Sequence, residues 1–319
     1  MLSELETIGK RAKAASKALI RFSTEDKNRA LLAIAQGLRQ NQELILNANA
    51  HDMEAGKKTS LSEALLDRLW LTPQRLEDIA SDVERVSTLK DPVGEIWDQK
   101  VLSNGLKLHR RRVPLGVVGV IYEARPNVTV DVAVLCLKTG NAVILRGGKE
   151  TQHSNQVLTF AIRQALEAIH FPVDAVQLIE SSDRQWVTEL LRLDRYVDMI
   201  IPRGGNALHQ LCKEQATIPV ITGGIGVCHM YADETVDIER ALPVIYNAKV
   251  QRPSVCNALD TLLVHKDVAH LLLPKVGREL SLANVELRAD PEAFEHLKGF
   301  PKTVLATQED WGKEFLALV

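Results

Sequence analysis

The sequence lacks the features that would point to nucleic acid or to a membrane. Its 319 residues hold 39 Lys and Arg against 41 Asp and Glu, for a net charge of −2. A nucleic-acid-binding domain is normally basic, so nucleic acid is not expected as a partner. No apolar run approaches the roughly 20 residues that a transmembrane helix needs, and residues 1–20 have an amphipathic pattern instead of a secretory leader. We therefore expect a cytoplasmic protein without membrane contact.

The sequence contains four cysteines, and no two of them are close together along the chain. Cys136, Cys212, Cys228 and Cys256 show no C-x-x-C spacing and no paired histidines nearby, so no metal site is expected. The first three lie in apolar helices or in an apolar strand, which predicts core packing. Cys256 follows the turn-like Arg252-Pro253-Ser254 and lies at a loop junction, where functional residues concentrate. A core position and a nucleophile both remain open for Cys256 at this point.

Two segments before residue 114 have clear patterns. Residues 1–90 show the three- and four-residue apolar spacing of helices. Residues 95–113 alternate apolar and polar side chains around Asn104-Gly105, which predicts a two-stranded hairpin. Because an isolated hairpin is marginally stable in water, we expect this one to pair with another part of the chain or with a partner.

From residue 114 the chain repeats a short apolar strand, a turn with Gly or Pro, and a helix. Apolar strands separated by helices predict a doubly wound parallel sheet with both faces covered, an α/β fold. A second α/β block begins near residue 233, with strands predicted at 258–264 and 302–307. The strands predicted in the first block are 115–122, 141–146, 175–180, 197–202 and 218–222.

Pairs of glycines follow three of these strands. Glycine lets the backbone approach a phosphate, and the next helix can present its N–H groups. The sequence has neither a GxGxxG fingerprint nor a complete P-loop, so a nucleotide site and simple tight turns both remain open. The pairs are Gly147-Gly148, Gly204-Gly205 and Gly223-Gly224.

The segment YEARPNVTVD, residues 122–131, is the second candidate for chemistry. Asn127 stands at a predicted helix start, where its side chain can either cap the helix or donate to an oxyanion. Glu123 and Arg125 flank it as candidate contacts for a charged substrate.

Five motifs, in this order and spacing, resemble one family. They are YEARPNVTVD, AVILRGGKE, IPRGG, IPVITGGIGVCH and QRPSVCN, and they resemble the gamma-glutamyl phosphate reductase family of the aldehyde dehydrogenase superfamily. The resemblance implies reduction of L-glutamate 5-phosphate by NADPH to L-glutamate 5-semialdehyde and phosphate, in L-proline biosynthesis. It also implies a Rossmann-type cofactor domain at 1–94 and 114–230, an oligomerisation hairpin at 95–113, and an α/β catalytic domain at 231–319.

The resemblance assigns roles to individual residues. Cys256 stands where the family has its nucleophile, which forms a thioester, and Asn127 matches the oxyanion-hole asparagine. Lys149 falls where NAD-preferring relatives carry an acid for the ribose, which favours NADP. From their charge, Arg125, Lys249 and Arg252 are candidate contacts for the glutamate substrate. The positions implied for cofactor binding are Arg146, Gly147, Gly148, Lys149, Gly204, Gly205, Gly223 and Gly224.

The direction of the reaction and the extent of the chain follow from the same resemblance. Aldehyde-oxidising relatives carry a Glu that activates the deacylating water, and Ile221 stands at that position here. Family members continue beyond the position of Val319, so a truncated, non-catalytic fragment that binds a nucleotide or a partner is the alternative. An aldehyde or acyl-CoA dehydrogenase is a further alternative. The expected partners are other copies of the chain, joined through the hairpin, and glutamate 5-kinase.

Overall fold

The computed structural model describes residues 3–223 and 226–319 and divides the chain into two compact units. These units are Met1–Gly223 and Gly224–Val319. The boundary lies seven residues before the one predicted at residue 230, because strand Cys228–Ala232 pairs within the second unit. In the described part of the chain, every helix is too short or too polar to cross a bilayer.

Five helices open the first unit. Ser3, Ser23 and Thr72 accept hydrogen bonds from backbone N–H groups in the first turns of the first, second and fifth helices. Pro73 occupies the first turn of the fifth helix, where a missing N–H costs nothing. The five are α1 Glu4–Leu19, α2 Thr24–Gln40, α3 Gln42–Lys58, α4 Glu63–Leu69 and α5 Pro73–Thr88.

The predicted hairpin consists of strands β1 (Ile96–Val101) and β2 (Lys107–Arg111), which pair antiparallel. The turn contains Gly105 at φ 84°, a left-handed conformation that glycine adopts without strain. Every residue of both strands is exposed. The hairpin therefore presents apolar side chains to its surroundings.

A four-stranded parallel sheet forms the centre of the first unit, in the order β5-β4-β3-β6. Every residue of β3 and β4 is buried, and since side chains alternate between faces, both faces of the sheet are covered. The strands are β3 Val117–Tyr122, β4 Ala142–Arg146, β5 Val176–Leu178 and β6 Met199–Arg203. The helices that follow them are α6 Asn127–Lys138, α7 Gln152–Ala168, α8 Arg184–Leu190 and α9 Asn206–Gln215.

The strand predicted at 218–222 is wrong. Among the residues that the structure describes, this segment forms one parallel bridge, between Val220 and Ile200. Pro219 has no N–H to extend the ladder, so pairing stops at that bridge.

The described part of the second unit, residues 226–319, contains two separate parallel strand pairs. Strand β7 (Cys228–Ala232) pairs with β8 (Leu259–Val264), and β9 (Leu287–Ala289) pairs with β10 (Thr303–Leu305). Ile245, Leu272 and Leu280 belong to its buried core. The helices of this unit are α10 Ile238–Val250, α11 Lys266–Leu282 and α12 Pro291–Leu297.

Candidate active site

The turn from β3 into α6 holds Asn127. Asn127 is the first residue of α6, and the capping position belongs to Pro126, with no side-chain cap. The alternative in which Asn127 caps the helix is therefore wrong. Its side-chain amide donates instead to Asp131 at 2.9 Å. Burial raises the pKa of Asp131, and the hydrogen bond from Asn127 opposes that rise.

The same turn contains a strained residue. Ala124 has a φ of 38°, which is uncommon for a residue with a Cβ, and it is buried. Its N–H donates to Oε1 of Glu150 at 2.7 Å. Such strained backbone persists only where the surrounding structure holds it, and it clusters at functional sites. Glu150 therefore fixes the shape of the segment that carries Arg125 and Asn127.

Glu150 belongs to the second element of the site, the turn after β4. It lies in a short 3₁₀ helix, Lys149–Thr151. A Cβ built on Gly148 would stand 2.2 Å from the Glu150 carboxylate, and one built on Gly147 would stand 2.0 Å from Nδ2 of Asn155. Neighbouring polar side chains thus approach the backbone closely at both glycines.

A buried chain of hydroxyl and amide groups supports this turn. Tyr122 and Thr129 lie 2.7 Å apart at their hydroxyls, and Thr129 donates to Oδ1 of Asn155 at 2.8 Å. Asn155 in turn donates to Thr151 at 2.8 Å, and Thr151 donates to the Gly148 carbonyl at 3.1 Å. Because Thr129 gives its one hydroxyl proton to Asn155, the Tyr122 hydroxyl is the donor to Thr129. Burial raises the pKa of Tyr122. The chain of hydrogen bonds links the end of β3 to the glycine turn.

Arg146 and Lys149 flank the Gly147-Gly148 pair in different environments. Arg146 is buried, and its Nη2 donates to the Ser182 carbonyl at 2.9 Å. Its Nε has no hydrogen-bond partner among the described residues, and burial lowers its pKa. Lys149, in contrast, is exposed.

The third element of the site is the turn from β6 into α9. The N–H of Gly205 donates to Oε2 of Glu123 at 3.2 Å, so the start of this helix already binds an anionic oxygen. A Cβ built on Gly204 would stand 2.6 Å from that carboxylate, whereas one built on Gly205 would meet no atom of the described residues within 4 Å. Gly205 therefore leaves open space above the backbone.

The glycines at the end of the first unit are described only in part. A Cβ on Gly223 would stand 3.7 Å from the imidazole of His209, an ordinary contact. Gly224 lies outside the described residues. Ile221 is exposed, and its N–H donates to the Ile200 carbonyl.

In the second unit, Cys256 is an exposed thiol in the turn between α10 and β8. The backbone of this turn is held by hydrogen bonds from Val255 to the Arg252 carbonyl and from Ala258 to the Val255 carbonyl. The core alternative for Cys256 is therefore wrong, because the side chain is presented to solvent.

The other three thiols differ from Cys256. Cys136 and Cys212 are buried, and burial raises the pKa of Cys136 to about 12 and that of Cys212 to about 11. Cys228 is only half-buried, which corrects the expectation of core packing for it.

The three cations suggested as substrate contacts also differ. Lys249 is 3% exposed, and its Nζ donates to the Leu259 carbonyl at 2.6 Å. Burial lowers its pKa. Arg125 is half-buried and Arg252 is exposed. The structure thus gives Lys249 a contact inside the protein, and the two arginines are the more accessible of the three.

Comparison with known proteins first defines the class. Residues 3–294 match the model of the aldehyde dehydrogenase family. A solved aldehyde dehydrogenase of Listeria monocytogenes shares the fold at a TM-score of 0.66, with 16% identity over 90% of this chain and 59% of that one. The family implies an oxidoreductase that uses a nicotinamide cofactor.

Closer relatives narrow the class. The gamma-glutamyl phosphate reductase of Roseiflexus castenholzii is 59% identical over 100% of this chain and 77% of its own length. The gamma-glutamyl phosphate reductase of Serratia proteamaculans is 59% identical over 98% of this chain and 76% of its own length. The crystal structure of the gamma-glutamyl phosphate reductase of Thermotoga maritima has a TM-score of 0.90 at 42% identity and covers 99% of this chain and 76% of that chain. The chain belongs to the gamma-glutamyl phosphate reductase family.

Proposed function

We propose that the chain reduces L-glutamate 5-phosphate to L-glutamate 5-semialdehyde with NADPH, releasing phosphate, in the cytoplasmic synthesis of L-proline. One observation carries the proposal. The thiol of Cys256 is exposed in a chain that is 59% identical along its whole length to a gamma-glutamyl phosphate reductase.

Cys256 supplies the nucleophile in this proposal. Its thiolate attacks the acyl carbon of the acyl phosphate, the carbon–oxygen bond to phosphate breaks, and the acyl group remains on Sγ as a thioester. The backbone N–H of Cys256 and the amide of Asn127 are proposed to stabilise the carbonyl oxygen as it becomes negative; such donors are typically worth about 3 kcal/mol each. The role of Asn127 rests on the family resemblance.

The glycine turns suit a dinucleotide cofactor. The N–H of Gly205 already donates to a carboxylate oxygen, and the space above its Cα is open, as the approach of a phosphate requires. Lys149 is an exposed cation beside the second turn, which fits the additional phosphate of NADP. When bound, NADPH supplies the hydride. The proposed contacts are Arg146, Gly147, Gly148, Lys149, Gly204, Gly205, Gly223 and Gly224.

Substrate and partner contacts complete the proposal. Arg125 and Arg252 are proposed to bind the charged groups of the glutamate moiety, with Lys249 as the weaker candidate because it is buried. The exposed hairpin β1–β2 is proposed to join copies of the chain, since Trp97, Leu106 and other apolar side chains on and beside it are exposed. Association with glutamate 5-kinase is proposed from the family resemblance alone.

The reverse reaction tests the function with the chain as it exists. Purified protein is mixed with L-glutamate 5-semialdehyde, phosphate and NADP⁺, and the appearance of NADPH is followed by absorbance. We expect formation of NADPH that requires phosphate and is faster with NADP⁺ than with NAD⁺. The Lys149→Ala variant should lose about tenfold of its preference for NADP⁺. Absence of the phosphate-dependent reaction, or oxidation of simple aldehydes with NAD⁺ and no phosphate, contradicts the proposal.

A further inference from the structure

A second thiol lies beside the backbone of Cys256. Cys228 is the first residue of β7, and its Sγ donates to the carbonyl oxygen of Cys256 at 3.2 Å. A Cβ built on Gly226 would stand 3.1 Å from the same oxygen. The carbonyl carbon of Cys256 is joined to its own Sγ through only Cα and Cβ. The Cys228 thiol therefore lies against the backbone of the residue that carries the other thiol.

The surroundings of Cys228 raise the pKa of its thiol. Burial raises the pKa of Cys228, and the charges of Asp260, Cys256 and Glu314 raise it further, in that order. Cys228 accordingly stays protonated as the donor to the Cys256 carbonyl.

The two thiols differ in access to solvent. Cys256 is exposed and Cys228 is half-buried, while Cys136 and Cys212 are buried in the first unit. An oxidant dissolved in water therefore reaches Cys256 first. Cys228, which contacts the Cys256 carbonyl, is the less accessible of the two thiols.

We propose that Cys228 is a resolving thiol that forms a reversible disulfide with Cys256 when the protein meets hydrogen peroxide. Peroxide oxidises the Cys256 thiolate to a sulfenic acid, and its second oxygen leaves as hydroxide. The Cys228 sulfur then attacks the sulfenic sulfur and gives up its proton as the S–S bond forms and the S–O bond breaks; the departing hydroxide takes up that proton and leaves as water. A thiol reductant restores both thiols.

The consequence for activity rests on the proposed function, whereas the disulfide does not. If Cys256 is the nucleophile, the disulfide inactivates the enzyme and prevents irreversible oxidation to the sulfinic acid. The inactivation is then reversed by reductant.

The sequence allows a direct test by peptide mapping. Trypsin releases Cys228 in peptide 214–240 and Cys256 in peptide 250–266, because the Arg252-Pro253 bond resists cleavage, and each peptide holds a single cysteine. The folded chain is treated with peroxide, alkylated and digested without reductant. We expect the two peptides joined, with the loss of both thiol hydrogens. Cys136 and Cys212, which are buried, should react with the alkylating reagent only when the chain is denatured.

Two variants sharpen the test. Cys228→Ser keeps a donor for the Cys256 carbonyl but cannot form the disulfide, and Cys212→Ala removes a buried thiol as a control. We expect sulfinic acid at Cys256 to accumulate about tenfold faster in Cys228→Ser than in the parent chain. The Cys212→Ala variant should behave like the parent.

The proposal is overturned if peroxide converts Cys256 to sulfinic acid and the disulfide-linked pair of peptides does not form. Equal rates of sulfinic acid formation in the parent and in Cys228→Ser also overturn it. The masses of the peptides report the disulfide whether or not the chain is catalytically active. Failure of the proposed function would appear in a different measurement, the activity assay, as a Cys256→Ala variant that keeps its activity.

Discussion

The carboxylate of Glu150 accepts a hydrogen bond from the N–H of Ala124 at 2.7 Å, between turns that follow two adjacent parallel strands. Ala124 is held there in the left-handed region. This contact joins the segment that carries Asn127 to the segment that carries Lys149.

Replacing Glu150 tests how much this contact contributes. Glu150→Ala leaves the Ala124 N–H without an acceptor, which should cost about 1–3 kcal/mol of unfolding free energy. Glu150→Gln keeps an oxygen acceptor and should cost less than half as much. Urea unfolding of the two variants measures the difference, and equal losses would show that the hydrogen bond does not hold the turn.

Substitution by alanine should lower the stability of the chain at Gly147 and leave it nearly unchanged at Gly205. Gly147→Ala places a Cβ 2.0 Å from Asn155, so overpacking should cost about 1–3 kcal/mol of stability. Gly205→Ala meets open space at φ −69°, so its stability should change by less than about 1 kcal/mol. The added methyl group would instead stand in the path proposed for a cofactor phosphate.

Titration with NADPH tests the proposed role of Gly205 in cofactor binding. Gly205→Ala should weaken NADPH binding by about tenfold, since contact between the backbone and the phosphate is lost. Unchanged binding in a stable Gly205→Ala variant would remove this turn from the proposed cofactor site.

The buried hydroxyl chain makes a third prediction. Thr129→Val removes the acceptor for Tyr122 and the donor to Asn155 and should cost about 2–4 kcal/mol, because two buried polar groups lose a partner. Tyr122→Phe removes only the first donor and should cost about 1 kcal/mol. Thermal unfolding compares the two, and a Thr129→Val variant as stable as the parent would contradict the importance of the chain.

Acid sensitivity of the second unit should depend on Asp310. Hydrogen bonds from the Thr307 backbone and from Arg288 lower the pKa of Asp310 from 3.8 to about 2. Since the unfolded chain binds this proton first, the carboxylate stabilises the fold above pH 3.8, and that contribution is lost as the pH falls toward 2. In Asp310→Asn the urea midpoint should fall less on acidification over that range, and an identical fall would contradict the assignment.

The first sheet was predictable because its strands are apolar throughout and alternate with helices. The predicted strands 115–122 and 141–146 contain β3 and β4. The extra strand at 218–222 was predicted from the same apolar composition, which does not show that Pro219 ends the ladder after one bridge.

The candidate site was predictable only in part. Local sequence placed Cys256 at a loop junction, but its role came from the resemblance of longer motifs. The contacts of Glu123 with Gly205 and of Glu150 with Ala124 depend on which strands are neighbours. Strand order is set by packing and is not contained in the spacing of the chain, so these pairings could not be predicted.

Activity of a Cys256→Ala variant tests the central claim most directly. The parent chain, Cys256→Ala and Cys212→Ala are compared for phosphate-dependent formation of NADPH from L-glutamate 5-semialdehyde, after their folding is shown to be equal by circular dichroism. The account predicts a loss of at least about 1,000-fold in Cys256→Ala and a rate close to that of the parent in Cys212→Ala. A Cys256→Ala variant that keeps more than about a tenth of the parent rate would contradict the claim.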